Sequence, residues 1–209
     1  MEETKKKNSS WNSGKTMTVV GLGLLTAIVI VLQALAVSVR FSEFTNVTFV
    51  LIPIIVGTAL YGWKAGAWLG AVFGTVVLVT GQAAFFMQIN PFGTIVTVLL
   101  KGILAGLAAG IVYALIAKKN TPKTDLAAVI TAGIVAPVVN TGIYILGCFV
   151  FFFNDMIAAG AAEKSMNIFA YVIFVLVGGN FLLELGINLV LASAVVYIIK
   201  LAKKMIKTR

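Results

Sequence analysis

The sequence predicts an all-α integral membrane protein, a compact bundle of six transmembrane helices with both termini in the cytoplasm. Of its 209 residues, 60% are hydrophobic and only 11% are charged, and the mean hydropathy is +1.06. Soluble domains average about 25% charged residues. The apolar segments exceed the roughly 18 residues that mark a spanning helix, and no alternating strand pattern suggests a barrel. A soluble core is therefore excluded.

Six apolar segments follow one another along the chain. The polar, basic residues 1–16 are expected to form a cytoplasmic tail rather than a signal peptide, because they are too polar and no small-residue cleavage site follows. Residues 17–199 are expected to form the membrane domain, and residues 200–209 a basic cytoplasmic tail. The second span contains Pro53. Proline is tolerated inside a membrane helix when neighbouring helices satisfy the backbone groups that it leaves without a hydrogen bond. The spans are predicted at residues 17–39, 47–62, 64–81, 92–117, 125–153 and 166–199.

Lysine and arginine indicate the orientation. Most of the 16 basic residues fall on one side if both termini are cytoplasmic, whereas the opposite loops hold Arg40 and Lys164. Lys101 lies inside the fourth span. The net charge of +9 is explained by this topology and by attraction to anionic lipid rather than by nucleic-acid binding. We expect a multi-pass protein of the cell membrane, in contact with the lipid bilayer and without a nucleic-acid partner.

Small residues recur every four positions in several spans. This spacing places them on one helix face, where missing side chains let another backbone approach closely. Packing within the bundle is the simpler explanation, but the patch in the first span also suits docking of a partner's helix. The series are Gly62, Gly66, Gly70 and Gly74; Gly102, Gly106 and Gly110; Ala128, Ala132 and Ala136; and Gly23 with Ala27.

Polar residues inside the spans form three helical lines. The lines are Thr94, Thr97 and Lys101 in the fourth span, Asn140, Tyr144 and Cys148 in the fifth, and Asn180, Glu184 and Asn188 in the sixth. Facing lipid would leave these groups unsatisfied, so we expect them to converge on a buried pocket. Either Lys101 and Glu184 form a structural ion pair with the asparagines as interhelical contacts, or at least one of these charges contacts a ligand.

Composition excludes several chemistries. The chain has no histidine and a single cysteine, Cys148, so histidine catalysis, thiolate metal clusters and disulfides are excluded. Cys148 is expected to be a buried packing residue. No phosphate-binding loop of the type G-x-x-x-x-G-K-[ST] occurs, so any energy from ATP must come from another chain. We expect no cofactor, no metal and no catalytic residue, because Glu184 is the only plausible base and no nucleophile is evident.

Several stretches of the chain resemble one membrane protein family. They are LLTAIVIVLQ in the first span, FVLIPIIVGTALYGWKAGAWLGAVFG in the second and third, NPFGTIVTVLLKGILAGLAAGIVYALI in the fourth and GGNFLLELGINLVLASAVVYIIK at the end. Together with six short-looped helices, they resemble the substrate-binding S component of an energy-coupling factor (ECF) vitamin transporter. The resemblance covers nearly the whole chain, and residues 53–66 and the small-residue-rich fourth span are its more specific parts.

The resemblance implies a binder of a B-type vitamin or precursor that works with a transmembrane scaffold subunit and two cytosolic ATPase subunits. Pantothenate is slightly favoured over hydroxymethylpyrimidine, because the fourth span resembles the pantothenate branch, although that branch favours arginine where Lys101 stands. If Lys101 is free, an anionic ligand would supply its counter-charge. If Glu184 neutralises Lys101, a neutral or zwitterionic ligand would fit better. The expected substrate-binding residues are Lys101, Thr97, Thr94, Asn140, Tyr144, Asn180 and Glu184.

In this family, the external loops after the first and third helices cover the ligand. Here these loops would be residues 40–46 and 81–91, and the second contains the aromatic and amide mixture GQAAFFMQINP. An interfacial aromatic belt is the alternative explanation for that mixture. The expected gating residues are Phe85, Phe86, Gln88 and Asn90. Members of the family dock the scaffold through two alanines four positions apart in the first helix, where this chain has Gly23 and Ala27, or Ala34 and Ser38.

Two other function classes stay open at this point: a standalone small-molecule carrier and a small intramembrane enzyme. Inverted repeats would support a carrier, and none is convincing in this sequence. An S component should co-purify with ATPase subunits, whereas an enzyme need not.

Overall fold

A computed structural model of the chain describes residues 2–36, 49–119, 121–164 and 167–207. These ranges contain helices and short connections but no strand, which confirms the all-α prediction for them. A 3-10 turn, Ala117–Lys119, follows the fifth helix, and a π-helical segment, Tyr171–Val177, precedes the last. The α-helices are α1 (Glu2–Ala36), α2 (Leu51–Tyr61), α3 (Trp63–Val79), α4 (Ala84–Ile89), α5 (Pro91–Ile116), α6 (Pro122–Phe151), α7 (Phe153–Lys164), α8 (Ile168–Ala170) and α9 (Gly178–Lys207).

Four of the described helices are long and apolar enough to cross a membrane. The spanning parts are Lys15–Ala36, Pro91–Ile116, Lys123–Phe151 and Phe181–Met205. The other two predicted spans correspond to α2 and α3, apolar helices of 11 and 17 residues. Their lengths are about 16 and 25 Å, against about 30 Å for the hydrocarbon core of a bilayer. The count of six complete spans and the cytoplasmic position of both termini therefore stay predictions.

Helices extend beyond the predicted spans at several places. Helix α1 begins at Glu2, within the predicted N-terminal tail, and α9 continues to Lys207 through the predicted C-terminal tail. Helix α4 lies inside the predicted loop 81–91, and α7 lies between the fifth and sixth predicted spans. The predicted spans follow hydropathy, whereas a helix also accommodates polar residues such as Glu and Lys, which are good helix formers. Helix ends and membrane boundaries consequently differ.

Helices α2 and α3 form a hairpin around Gly62. This residue has a φ of +86°, in a region of backbone space that glycine adopts without steric cost. The two helices then pack closely, because a Cβ on Gly66 would overlap the methyl group of Thr58, and a Cβ on Gly57 would overlap the side chain of Leu69. The hairpin presents the glycine face of α3 to α5.

The glycine series of α3 and α5 face each other. Gly66 meets Gly106 and Gly70 meets Gly102, so that a Cβ on any of the four would collide with the carbonyl group of the facing glycine. Such close backbone approach is typical of membrane helices with small residues at their interface. The expectation of packing within the bundle is confirmed for the helical members of these series but not for Gly62, which lies in the turn and has no atom within 4 Å of an added Cβ. The contact holds the segment of α5 that contains Lys101 against α3.

Pro137 interrupts the hydrogen bonding of α6, and a side chain of α9 compensates. Because proline has no N–H, the carbonyl of Gly133 four residues earlier loses its partner in the helix. Nδ2 of Asn188 donates to that carbonyl oxygen at 3.3 Å. Asn188, which belongs to the polar line of the sixth span, therefore joins α9 to α6 as an interhelical contact, one of the two roles that the sequence left open for the asparagines.

The remaining small-residue series differ in burial. Ala128, Ala132 and Ala136 are fully buried in α6. Gly23 and Ala27 are exposed on α1, and a Cβ added to Gly23 would meet no atom within 4 Å. Helix α1 is also the least buried of the four spanning helices. Packing among the described residues therefore uses the alanine series but not the patch on α1.

Candidate functional site

Lys101 projects from α5 between two aromatic rings. Its ammonium lies 5.6 Å from the centre of the Phe73 ring on α3 and 5.5 Å from the centre of the Tyr144 ring on α6. Such cation–π contacts stabilise by about 0.5–2 kcal/mol each. A lysine near the middle of a membrane helix costs about 2.5–3.5 kcal/mol on insertion scales. The rings therefore offset much of the cost, but contact with a ring face gives the ammonium no hydrogen bond to an oxygen atom.

Glu184 on α9 lies close to this lysine and contacts Asn140 on α6. Glu184 is 3% exposed and Asn140 is 4% exposed. Nδ2 of Asn140 donates to Oε2 of Glu184 at 3.5 Å. Lys101 and Glu184 are near enough to interact electrostatically, yet no direct salt bridge joins them within the described residues. The two charges are neighbours without the direct ion pair that would satisfy Lys101 inside the protein.

Two buried oxygen atoms beside these charges have no hydrogen-bond partner in the part of the chain that the structure describes. They are Oδ1 of Asn140 and Oγ1 of Thr97. Because Nδ2 of Asn140 faces Glu184, its Oδ1 points in another direction, where it is open to a donor. Thr97 packs on Gly147 of α6, where a Cβ would overlap the threonine hydroxyl. A buried polar group without a partner costs about 1–3 kcal/mol, so a ligand or water that donates to these oxygens would be stabilised.

Thr94 and Asn90 are engaged in the first turn of α5. The hydroxyl of Thr94 donates to the carbonyl oxygen of Asn90 at 2.8 Å, and Thr94 is fully buried. Oδ1 of Asn90 accepts from the backbone N–H of Gly93 at 2.9 Å and so caps the helix. These bonds give both residues a role in starting α5, whereas their contact with a ligand or their part in gating stays a prediction.

Residues 81–91, which the sequence predicts to cover the ligand and which we call the covering segment, meet the site through Phe86. The Phe86 ring lies edge-on to Tyr144, with centroids 5.9 Å apart, and to Phe152, at 5.1 Å. Phe85 lies 5.2 Å from Phe86 and is exposed, as is Gln88. The segment therefore places one aromatic ring on the same Tyr144 that contacts the ammonium. Phe85 and Gln88 present surface away from it, and a gating role for all of these residues stays a prediction.

Phe73 and Tyr171 also belong to this region, and the sequence analysis missed both. Tyr171 is buried, begins the π-helical segment and lies near Tyr144. Turns of π-helix are rare and frequently occur at functional sites. In an apolar span, the sequence does not distinguish an aromatic residue that lines a site from one that only packs. The one signal for Phe73 was its position next to Gly74 of the glycine series. Cys148 is buried among these aromatics, which confirms the prediction of a packing residue.

Several predicted residues lie outside the described part of the structure. They are Ser38, the loop 40–46 and the side chain of Asn180. Their roles stay predictions. The described members of the predicted docking set, Gly23, Ala27 and Ala34, are all exposed on α1.

The described groups together suit a small molecule that carries both hydrogen-bond acceptors and donors. Lys101 offers N–H donors and a positive charge, whereas Glu184 and Oδ1 of Asn140 accept hydrogen bonds. The rings of Phe73 and Tyr144 supply apolar walls. A mostly apolar site with a few convergent polar groups is the usual composition of a small-molecule pocket.

Comparison with known proteins identifies a matching family model. The family model described as "ECF transporter, substrate-specific component" matches residues 15–199, which is most of the chain. This range contains Lys101, Asn140 and Glu184 and reaches into all four spanning helices. No curated protein and no solved structure matches the chain at a significant level.

Proposed function

This chain belongs to the family of ECF transporter substrate-specific components, and from that premise we propose that it captures a B-type vitamin or precursor outside the cell and delivers it inward. Members of this family are substrate-binding membrane subunits rather than enzymes. The first candidate ligand is pantothenate, and the second is hydroxymethylpyrimidine. A transmembrane scaffold subunit and two cytosolic ATPase subunits would supply the energy, and the assembly would lie in the cell membrane.

The position of Lys101 is the observation that carries this proposal. Its ammonium contacts two rings and forms no direct salt bridge among the described residues. A ligand carboxylate would supply a counter-charge and oxygen acceptors together, and charge-assisted hydrogen bonds of this kind are short and strong. Pantothenate has such a carboxylate. Hydroxymethylpyrimidine is neutral and would suit the site better if Glu184 neutralises Lys101.

Asn140 and Glu184 favour a ligand that also has hydrogen-bond donors. Oδ1 of Asn140 is buried without a donor among the described residues, and the carboxylate of Glu184 accepts as well. Pantothenate carries an amide N–H and hydroxyl groups in addition to its carboxylate. Its branched methyl groups would lie against the rings of Phe73 and Tyr144. Sites that hydrogen-bond a ligand group reject analogues lacking it strongly, because their own polar groups are then left unpaired.

The isolated protein is expected to bind pantothenate without nucleotide and without other subunits. Every group proposed for the pocket belongs to this chain, so binding does not require a partner. Titration calorimetry on the detergent-solubilised protein, with a panel that includes hydroxymethylpyrimidine and riboflavin, measures this directly. Binding that appears only when ATPase subunits are present would contradict a self-contained pocket, and preference for another vitamin would correct the ligand alone.

Co-purification separates this proposal from the two other function classes. An affinity-tagged S component should retain the scaffold and ATPase subunits through mild detergent extraction. A standalone carrier would transport its ligand in liposomes that contain this chain alone. An intramembrane enzyme would convert its ligand chemically rather than return it unchanged.

We place the docking surface for the scaffold on the outward face of α1. Gly23 and Ala27 are exposed there, whereas Leu25 and Val29 on the opposite face are buried in the bundle. The open space beside Gly23 is available to a second helix, and small residues permit the close approach that stabilises helix pairs in lipid.

Replacing Gly23 or Ala27 with leucine is expected to weaken assembly with the scaffold and to leave vitamin affinity unchanged. Overpacking a close contact costs about 1–3 kcal/mol, or about 5- to 150-fold in the assembly constant. Co-purified scaffold, measured by quantitative blotting beside a ligand titration, is the readout. Gly186→Leu on α9, where a Cβ also meets nothing within 4 Å, is the matched control. Loss of ligand binding with assembly retained would show that this face packs within the protein.

A further inference from the structure

A hydrogen bond between two glutamine side chains links α1 to the covering segment. Gln33 on α1 is 2% exposed, and its Nε2 donates to Oε1 of Gln82 at 2.7 Å. Gln82 belongs to the turn between α3 and α4 and follows Gly81, whose φ is +73°. A buried amide is costly in an apolar environment unless it is hydrogen-bonded. The bond therefore constrains the position of the turn relative to α1.

The turn and α4 are joined by a backbone hydrogen bond, which extends this constraint to the site. The backbone N–H of Ala84 donates to the carbonyl of Gly81 at 3.1 Å, so Gln82 lies within the same hydrogen-bonded turn that begins α4. One helical turn later, Phe86 packs on Tyr144, which contacts the ammonium of Lys101. A displacement of Gln82 would consequently move the aromatic ring that lies against the site.

Gln33 lies on the inward face of α1, opposite the exposed patch. The inward residues Leu25, Val29 and Gln33 are buried, whereas Gly23 and Ala27 on the other side are exposed. An α-helix shifts as a rigid element when one face is pushed or pulled. A partner that displaces the outward face of α1 would therefore displace Gln33 as well.

We propose that Gln33 and Gln82 are positioning residues that hold the covering segment against Tyr144 and that link its opening to contacts on α1. In the resting protein the bond keeps Phe86 against Tyr144. When a partner helix docks on Gly23 and Ala27, the movement of α1 strains or breaks the bond, and the covering segment opens. This second step rests on the proposed function, because it requires a scaffold on α1, whereas the first step does not.

Amide hydrogen exchange of the purified protein tests the first step without any ligand. The double variant Gln33→Leu/Gln82→Leu removes both partners, which avoids leaving one amide stranded. Because local opening sets the exchange rate of a segment, exchange of peptides covering Ala84–Ile89 is expected to accelerate about tenfold, while peptides from α5 and α6 keep the wild-type rates. Equal exchange rates of the covering segment in the wild type and the double variant would overturn the proposal. Acceleration over the whole bundle would overturn it too, since that indicates a general loss of stability.

Two further variants keep this test decisive. Thr26→Val removes a different side-chain hydrogen bond of α1, the one that Nε1 of Trp68 on α3 donates to Oγ1 of Thr26 at 3.1 Å. This bond does not involve the covering segment, so Thr26→Val should leave its exchange unchanged, and acceleration there would contradict a specific role for the glutamines. Gln82→Met is measured in parallel, so that the result does not depend on folding of the double variant, and it should accelerate exchange in the same peptides.

Adding the scaffold and ATPase subunits tests the second step. Assembly should accelerate exchange of the covering segment in the wild type but add little to the already open double variant. Equal additional acceleration in both proteins would overturn the coupling. If the wild type does not assemble with these subunits, the proposed partner and the coupling are both wrong, and the measurements on the isolated protein still decide whether the glutamine pair positions the covering segment.

Discussion

Replacing Lys101 with methionine is expected to lower the affinity for pantothenate by about 2 to 5 kcal/mol while the protein still folds, because this is the usual cost of breaking a desolvated charge pair. Methionine keeps the length and apolar character of the side chain and packs well beside aromatic rings such as Phe73 and Tyr144. Only the charge and its N–H donors are lost. Titration calorimetry measures the affinity, and a thermal unfolding curve in the same detergent measures the stability.

A structural ion pair predicts a different pattern for the same variant. Lys101→Met would then leave the Glu184 charge buried without compensation, lower the thermal stability and be rescued by adding Glu184→Gln. Affinity and unfolding temperature for both single variants and the double variant therefore distinguish the two explanations. Unchanged affinity in Lys101→Met would remove Lys101 from the binding site.

Two controls isolate the effect of the charge. Lys64 also lies over an aromatic ring, 5.5 Å from the centre of Trp63, but it is exposed. Lys64→Met is therefore expected to change neither affinity nor stability. The second control changes the ligand: pantothenol, in which an alcohol replaces the carboxylate, should bind the wild type much more weakly than pantothenate. Lys101→Met should bind the two ligands with similar affinity.

Replacing Gly102 with alanine is expected to destabilise the protein by about 1 to 3 kcal/mol, the usual cost of overpacking. The new Cβ would collide with the backbone carbonyl of Gly70, which is not the flexible end of a side chain, so α3 and α5 must separate. The same Cβ would lie 3.3 Å from the ring of Phe73. Thermal unfolding measures the stability, and ligand affinity should fall as well, because Phe73 moves relative to Lys101.

Gly142→Ala is the matched control for this prediction. It makes the same chemical change within α6, but a Cβ at Gly142 meets nothing within 4 Å. Alanine at an unstrained helix position is usually neutral or stabilising, by about 0.4–1 kcal/mol, because it restricts the unfolded chain. Opposite signs for the two variants are expected. Equal effects would mean that helix propensity rather than the contact between α3 and α5 decides the outcome.

The contact between α3 and α5 shows what the spacing of residues in the sequence can and cannot predict. A repeat of four places Gly66 and Gly70 on one face of a helix, and Gly102 and Gly106 on one face of another, so two close-packing surfaces were predictable from the sequence. Their mutual pairing was not, because periodicity describes one helix at a time. Only the folded chain shows that the two surfaces meet.

The polar lines show that residue spacing does not predict which polar side chains find hydrogen-bond partners. Thr94 and Thr97 lie on the same helix face and are equivalent in sequence, yet Thr94 donates to its own helix and Oγ1 of Thr97 has no partner among the described residues. Asn140 and Asn188 likewise share a residue type, but Asn188 compensates for Pro137 while Asn140 contacts Glu184. Hydrogen-bond satisfaction depends on neighbours that are distant in the chain, so the sequence cannot assign it.

The sequence by itself determined the membrane class, the helical fold, the family and the position of Lys101 within an apolar helix that is long enough to cross a membrane. These follow from hydropathy, spacing and short motifs, which are properties of contiguous residues. Only the tertiary structure decided that Lys101 lies between Phe73 and Tyr144 without a direct salt bridge to Glu184, and that Gln33 meets Gln82. These contacts join residues from different helices, and they depend on the packing of glycine faces and helix hairpins, which brings distant parts of the chain together.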